Sequence, residues 1–211
     1  MKKHATWFYA SFIFLLGFTN ADESTKKVQQ AAQDNLEAAI NKIPAGMETR
    51  FGFEDASEPK NCTAGKPYRM LALSKEFYDG IETTIKNSIL EQNEWRVPVI
   101  AKGHHRTLLS VAGLLDNLKV VDLGGAQLAA ELEQKTKMFT QATEFCILRI
   151  YPLECDFLVV KKSANWDDDI YVPLTSATIA INSMGDKAAT GVSLTEMLQA
   201  VKAEIKLKTK N

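Results

Sequence analysis

Residues 95–112 read Trp-Arg-Val-Pro-Val-Ile-Ala-Lys-Gly-His-His-Arg-Thr-Leu-Leu-Ser-Val-Ala, and this stretch decides the fold class. Trp95, Val97, Val99 and Ala101 alternate with Arg96, Pro98 and Ile100, the period of two that a pleated strand requires. Lys102-Gly103 offers a tight turn in which glycine takes positive φ without steric cost, so a return strand is expected over residues 105–112. Pro98 has no N–H to give to a ladder, and its strand is therefore expected to be an edge or to carry a bulge.

On the C-terminal side, Asp116-Asn117 makes a second turn and residues 119–123 a third strand. Three strands joined by short turns form an antiparallel meander. Gly124-Gly125 opens a helix over residues 126–137, with Leu128 and Leu132 facing inward. Two further strands, 145–151 and 155–161, are rich in Ile, Leu, Val and Phe; a polar loop at 165–169 and a short strand at 170–174 follow. Ser193-Leu194-Thr195-Glu196 fits a capping box, after which Leu194, Met197, Leu198, Val201 and Ile205 line one helical face. Lys202, Lys206, Lys208 and Lys210 crowd the end of that helix, where its dipole favours cations.

On the N-terminal side, residues 67–73 read as a strand, and Phe77, Ile81, Ile85 and Ile89 suggest a short helix within 74–93. Residues 47–66 are polar and turn-rich, with Phe51 and Phe53 as anchors to the core. Val28, Ala32, Leu36, Ala39, Ile40 and Ile43 draw one apolar stripe on a helix over 25–43, which Pro44-Ala45-Gly46 ends. The expected architecture is α+β: an antiparallel meander covered on one face by amphipathic helices, in a single two-layer domain.

That domain is expected to span residues 22–211, because residues 1–21 have the build of a cleavable signal peptide. Lys2 and Lys3 precede an apolar run from Ala5 to Phe18, and Thr19-Asn20-Ala21 closes it with small residues. The run is shorter than the ~20 apolar residues of a spanning helix, which favours cleavage after Ala21 over an uncleaved anchor. The short Met-Lys-Lys start suits bacterial export, so the expected location is the periplasm or the medium, with no membrane contact after cleavage. Loss of Lys2 and Lys3 leaves 23 basic against 26 acidic residues, a net charge of −3 that gives no electrostatic case for nucleic acid.

Three cysteines, Cys62, Cys146 and Cys155, allow at most one internal disulfide. Cys146 and Cys155 are the default pair. On one extended strand they would lie roughly 30 Å apart, far beyond the ~7 Å a disulfide tolerates. A bond therefore requires the chain to reverse near Tyr151-Pro152. The absence of Cys-x-x-Cys argues against redox chemistry.

No motif supplies a catalytic, cofactor-binding or metal-binding set. His104 and His105, adjacent on a strand, point to opposite faces and lack a ligand partner at metal spacing. Asp167-Asp168-Asp169 has calcium's preferred donors but not their alternation, so a solvated acidic loop is expected. Gly124-Gly125 lacks the remaining residues of a phosphate motif. Phe51, Trp95, Trp166 and Tyr171 could line a groove, although packing is the commoner fate of such rings.

The expectation is thus a non-enzymatic exported module that binds a protein, peptide or envelope component through an open sheet face or edge, with no cofactor. A hydrolase using Glu144, Glu154 or Asp156 and a carrier of small apolar ligands are the alternatives.

Overall fold

A computed structural model describes residues 16–81, 85–187 and 189–208. The chain runs α1 (Leu16–Ile40), β1 (Thr63–Ala64), β2 (Tyr68–Leu73), α2 (Lys75–Tyr78), α3 (Ile85–Ser88), β3 (Ile89–Ala101), β4 (His104–Ala112) and β5 (Lys119–Gly124). It continues through α4 (Ala126–Thr136), β6 (Glu144–Ile150), β7 (Cys155–Lys161), β8 (Ile170–Pro173), α5 (Thr175–Ala180) and α6 (Leu194–Lys208). Most of the expected signal peptide, residues 1–15, lies outside the described residues, and α1 passes through the remainder.

The expected hairpin forms between β3 and β4, with Arg96 opposite Ser110 and Val97 opposite Leu109. Its turn puts Lys102 at φ 49° and Gly103 at φ 81°, both left-handed, as a two-residue hairpin matching strand twist requires. β3 is longer than expected, because Ile89 to Glu94 extend it backwards along β2. The helix expected in 74–93 is correspondingly split into α2 and α3, one turn each.

Pro98 is not on an edge strand: β4 flanks it on one side and β1 and β2 on the other. A bulge does occur nearby, between Val99 and Ile100. The Pro98 carbonyl accepts the Gly65 amide at 2.7 Å. A residue's N–H and C=O leave a strand on the same side, so the missing donor falls in the gap between β1 and β2.

All strands belong to one sheet, ordered β5-β4-β3-β2-β6-β7-β8, with β1 attached to β3. It is not wholly an antiparallel meander. β2 to β5 form one meander and β6 to β8 another, but Arg69–Ala72 pair with Cys146–Arg149 in parallel. A parallel pair needs a crossover of a dozen residues or more; the connection here runs through β3, β4 and β5, and α4 carries the chain back from the β5 edge to β6.

Helices also occupy both faces, which corrects the two-layer expectation. On one face Leu71, Leu148, Phe157, Val159 and Tyr171 pack against Phe77 of α2, Ala177 of α5 and Met197 and Val201 of α6. On that same face Trp95, Val97, Val99, Leu109 and Val111 meet Val28, Ala32, Leu36 and Ala39 of α1. The alternate residues Tyr68, Met70, Leu108, Ile147, Leu158 and Val160 meet Ala129 and Leu132 of α4 on the other face. Leu132 is fully enclosed there, a burial worth about 2 kcal/mol.

The chain does reverse at Tyr151–Leu153, yet no disulfide forms. The β6–β7 register pairs Ile150 with Cys155 and Cys146 with Val159, so the two thiols sit four residues apart along neighbouring strands. At ~3.3 Å per residue that offset is beyond reach of a disulfide. Both thiols are buried among apolar side chains, and burial pushes each well above its ordinary value.

Candidate functional site

The two ends of the sheet differ. Beyond β8, Tyr171 and Val192 exchange both backbone hydrogen bonds at 2.9 Å, which closes that edge. Beyond β5, no described residue pairs. Val121 is the reason β5 is irregular. Ser110 pairs with Asp122 and Val111 with Val120, leaving Val121 without a partner of its own and 61% exposed.

A half-open cleft of about 170 Å³ runs along this edge. Its walls are Ala39, Lys42 and Ile43 at the end of α1, Phe51, and the four consecutive residues Val120, Val121, Asp122 and Leu123. Ile43, Phe51, Val120 and Leu123 also belong to the cluster under α1, so the cleft lies on the α1 face at the margin of the sheet, where α1 and the Phe51 turn meet β5. The space suits one side chain; a drug-sized ligand needs roughly 300 Å³ or more. Leu114, Leu115 and Val121, three of the nine large apolar residues exposed among those described, fall on the β4–β5 hairpin. Val121 on the edge, with Leu114 and Leu115 in the turn that leads into β5, adds exposed apolar surface at this end of the sheet.

Local chemistry fixes the far wall. Glu48–Phe51 is a 3-10 turn closed by Gly52 at φ 86°, whose amide donates to the Thr49 carbonyl at 3.1 Å. A Cβ on Gly52 would stand 2.1 Å from the Arg106 carbonyl, so only glycine lets this turn lie on β4 and present Phe51 to the cleft. The following turn is anchored by Glu58, whose side chain is 1% exposed; its carboxylate accepts Arg106 Nε at 2.8 Å and stands 2.6 Å from Nη2 as an ion pair. Residues 47–66 are thus tied down by a buried charge pair, in addition to the expected anchors Phe51 and Phe53.

The structure scatters the residues singled out from sequence. His104 and His105 are gathered at Glu133 of α4: His104 Nδ1 lies 3.3 Å from its carboxylate and the His105 amide donates at 2.9 Å. Burial opposes ionisation of Glu133, but Lys137, the His105 amide and His104 outweigh it and draw the carboxyl down to about 2. Burial lowers the His105 ring below its ordinary value.

The acidic loop is not wholly solvated. Asp169 is fully enclosed and accepts Lys161 Nζ at 2.6 Å and the Lys162 amide at 3.0 Å. Asp168 accepts the Ser163 hydroxyl at 2.8 Å, so the carboxylates diverge. Among the described residues, no three His, Cys, Asp or Glu side chains could hold a metal ion together. Gly125, at φ 75°, makes the strand-to-helix turn. Trp95 and Tyr171 are core residues, and Trp166 and Phe51 are half-buried.

The three carboxylates of the hydrolase alternative are not assembled. Asp156 faces Arg149, with Oδ2 and Nη1 2.8 Å apart, while Glu144 is paired with Lys161 at the far end of β6. Glu144 and Asp156 also fall on opposite faces, and Glu154 is exposed in the turn at φ 52°. Burial raises the Asp156 carboxyl above its ordinary value, against the pull of Arg149. No helix among the described residues is long and apolar enough to cross a membrane. No protein-family model, curated protein or solved structure matches the chain.

Proposed function

We propose that this protein is an exported, non-catalytic module that takes an extended peptide as an added strand along β5. The observation that carries this reading is the cleft beside an edge with no described strand partner. In strand addition, backbone hydrogen bonds supply affinity and pockets for alternate side chains supply selectivity. Here the backbone row is β5 and the pocket is the space between Ile43, Phe51 and Val120. Export, to the periplasm or the medium of a bacterium, rests on Lys2, Lys3 and the apolar run ending before Thr19-Asn20-Ala21. The small cleft speaks against a carrier, and the separated carboxylates speak against the hydrolase.

The test is fluorescence anisotropy with a panel of labelled ten-residue peptides of alternating apolar and polar residues, followed by hydrogen exchange. Bound peptide is expected to protect the amides of residues 119–124. Val121→Lys, which puts a charge on an exposed edge position, is expected to weaken binding about tenfold or more. A panel without a binder, protection elsewhere, or binding indifferent to Val121→Lys would each remove this reading.

A further inference from the structure

β5 carries its own complement. Read in one direction, its first four residues are Lys119-Val120-Val121-Asp122; read antiparallel, they offer aspartate to lysine and valine to valine. We propose that the strand accepted at this edge includes β5 of a second copy, giving a two-fold dimer with one sheet continuous across both chains. The proposal rests on the same reading of β5 as an open strand acceptor.

The register follows from charge. Placing Val120 opposite Val121 of the second copy sets Lys119 opposite Asp122 of the second copy, and the two-fold repeats that pair. Sliding by three residues one way sets Lys119 against its own counterpart; sliding three the other way does so for Asp122. Smaller slips leave both charges facing uncharged positions. Opposite charges directly across a strand pair stabilise it and like charges destabilise it.

The faces agree as well. Lys119 pairs with Ala112 and Asp122 with Ser110, so both project on the α4 face. Val120 and Val121 share the span opposite Val111, on the α1 face, and both line the cleft. Antiparallel pairing keeps each residue on the face of its cross-strand neighbour. Val121 of the second copy is therefore delivered to the cleft walled by Ile43 and Phe51, and the exchange is mutual. Lys119 and Asp122 are exposed and form no ion pair with another described residue, so both are available across the edge.

Sedimentation equilibrium of the protein from low to high micromolar concentration is expected to give twice the protomer mass. Lys119→Asp and Asp122→Lys each create two like-charge pairs by symmetry, and each is expected to weaken the dimer about tenfold or more. The double variant Lys119→Asp/Asp122→Lys restores both pairs in reversed polarity and is expected to restore the dimer. Circular dichroism checks that each variant folds, as exposed positions should allow. A monomer at every concentration overturns the proposal. So does a dimer indifferent to the single reversals, or a double variant that stays monomeric. Peptide protection of residues 119–124 in a monomeric protein would leave strand addition standing while the dimer falls. A dimer with the expected charge pattern and no peptide binding would do the reverse.

Discussion

Removing Asp169 leaves the buried charge of Lys161 without the carboxylate in contact with it. The Asp169 side chain is 0% and that of Lys161 11% exposed, with Nζ and Oδ2 2.6 Å apart. The second carboxylate oxygen accepts the Lys162 amide, so Asp169→Ala orphans an amide as well. Breaking a buried pair from one side costs about 3–5 kcal/mol. Lys161 Nζ also lies 3.6 Å from the centre of the Trp166 ring, a cation–π contact that persists without Asp169 and keeps the ammonium from being wholly uncompensated. The lower end of the range, about 3 kcal/mol, is therefore expected. In a domain of this size it corresponds to about 6–12 °C in Tm. Urea unfolding followed by circular dichroism, alongside thermal melts, reads both quantities. Lys161→Met/Asp169→Leu removes both charges and is expected to recover most of the loss. A single-variant cost under about 1 kcal/mol, the worth of an exposed pair, would refute the reasoning. So would a double variant as unstable as the single one.

Glu133 gives a pH signature. Its carboxyl falls from an ordinary 4.5 to about 2 on folding. Its contribution is therefore complete above about pH 4.5 and is lost as pH falls towards 2; Glu133→Gln is expected to flatten the acid limb of a stability–pH profile, and an unchanged limb would contradict the assignment. Thiol titration without reductant is expected to find three reactive cysteines in denaturant, with Cys146 and Cys155 silent in the native protein; a count of one in denaturant would reveal a disulfide. Ser193→Ala removes the hydroxyl that accepts the Glu196 amide at 3.3 Å and is expected to cost about 1 kcal/mol in urea unfolding.

The features legible in sequence are those written within a few neighbouring residues. Alternation over Trp95–Ala101 and the Lys102-Gly103 turn announced β3 and β4, and Ser193 with Glu196 announced the start of α6. Long-range pairing left no such mark. Nothing near Arg69 says that Cys146–Arg149 will lie beside it in parallel, because either orientation buries the same apolar residues. The face taken by α4 was hidden for a related reason: strands buried on both sides lose the polar half of their alternation, as Phe157–Val160 do. Asp169 read as one of three solvated carboxylates because its partner, Lys161, comes from the neighbouring strand. The cleft was illegible, since its walls are 80 residues apart in the chain and only the packing of α1 beside β5 brings Ala39 and Ile43 to Val120 and Leu123.

The parallel seam between β2 and β6 has a kinetic consequence. Each meander can close through hairpins between neighbouring segments, but the seam joins residues 69–72 to residues 146–149. Loop-closure entropy makes such distant pairings slow. Two half-sheets should therefore form first, each with an apolar strand, Met70–Leu73 or Cys146–Leu148, waiting at its inner margin. Pulse-labelled hydrogen exchange would find the seam amides protected last, and protection together with the hairpins would contradict that order. Until the seam closes, those two margins are where the folding chain is most open to meeting another chain instead of itself.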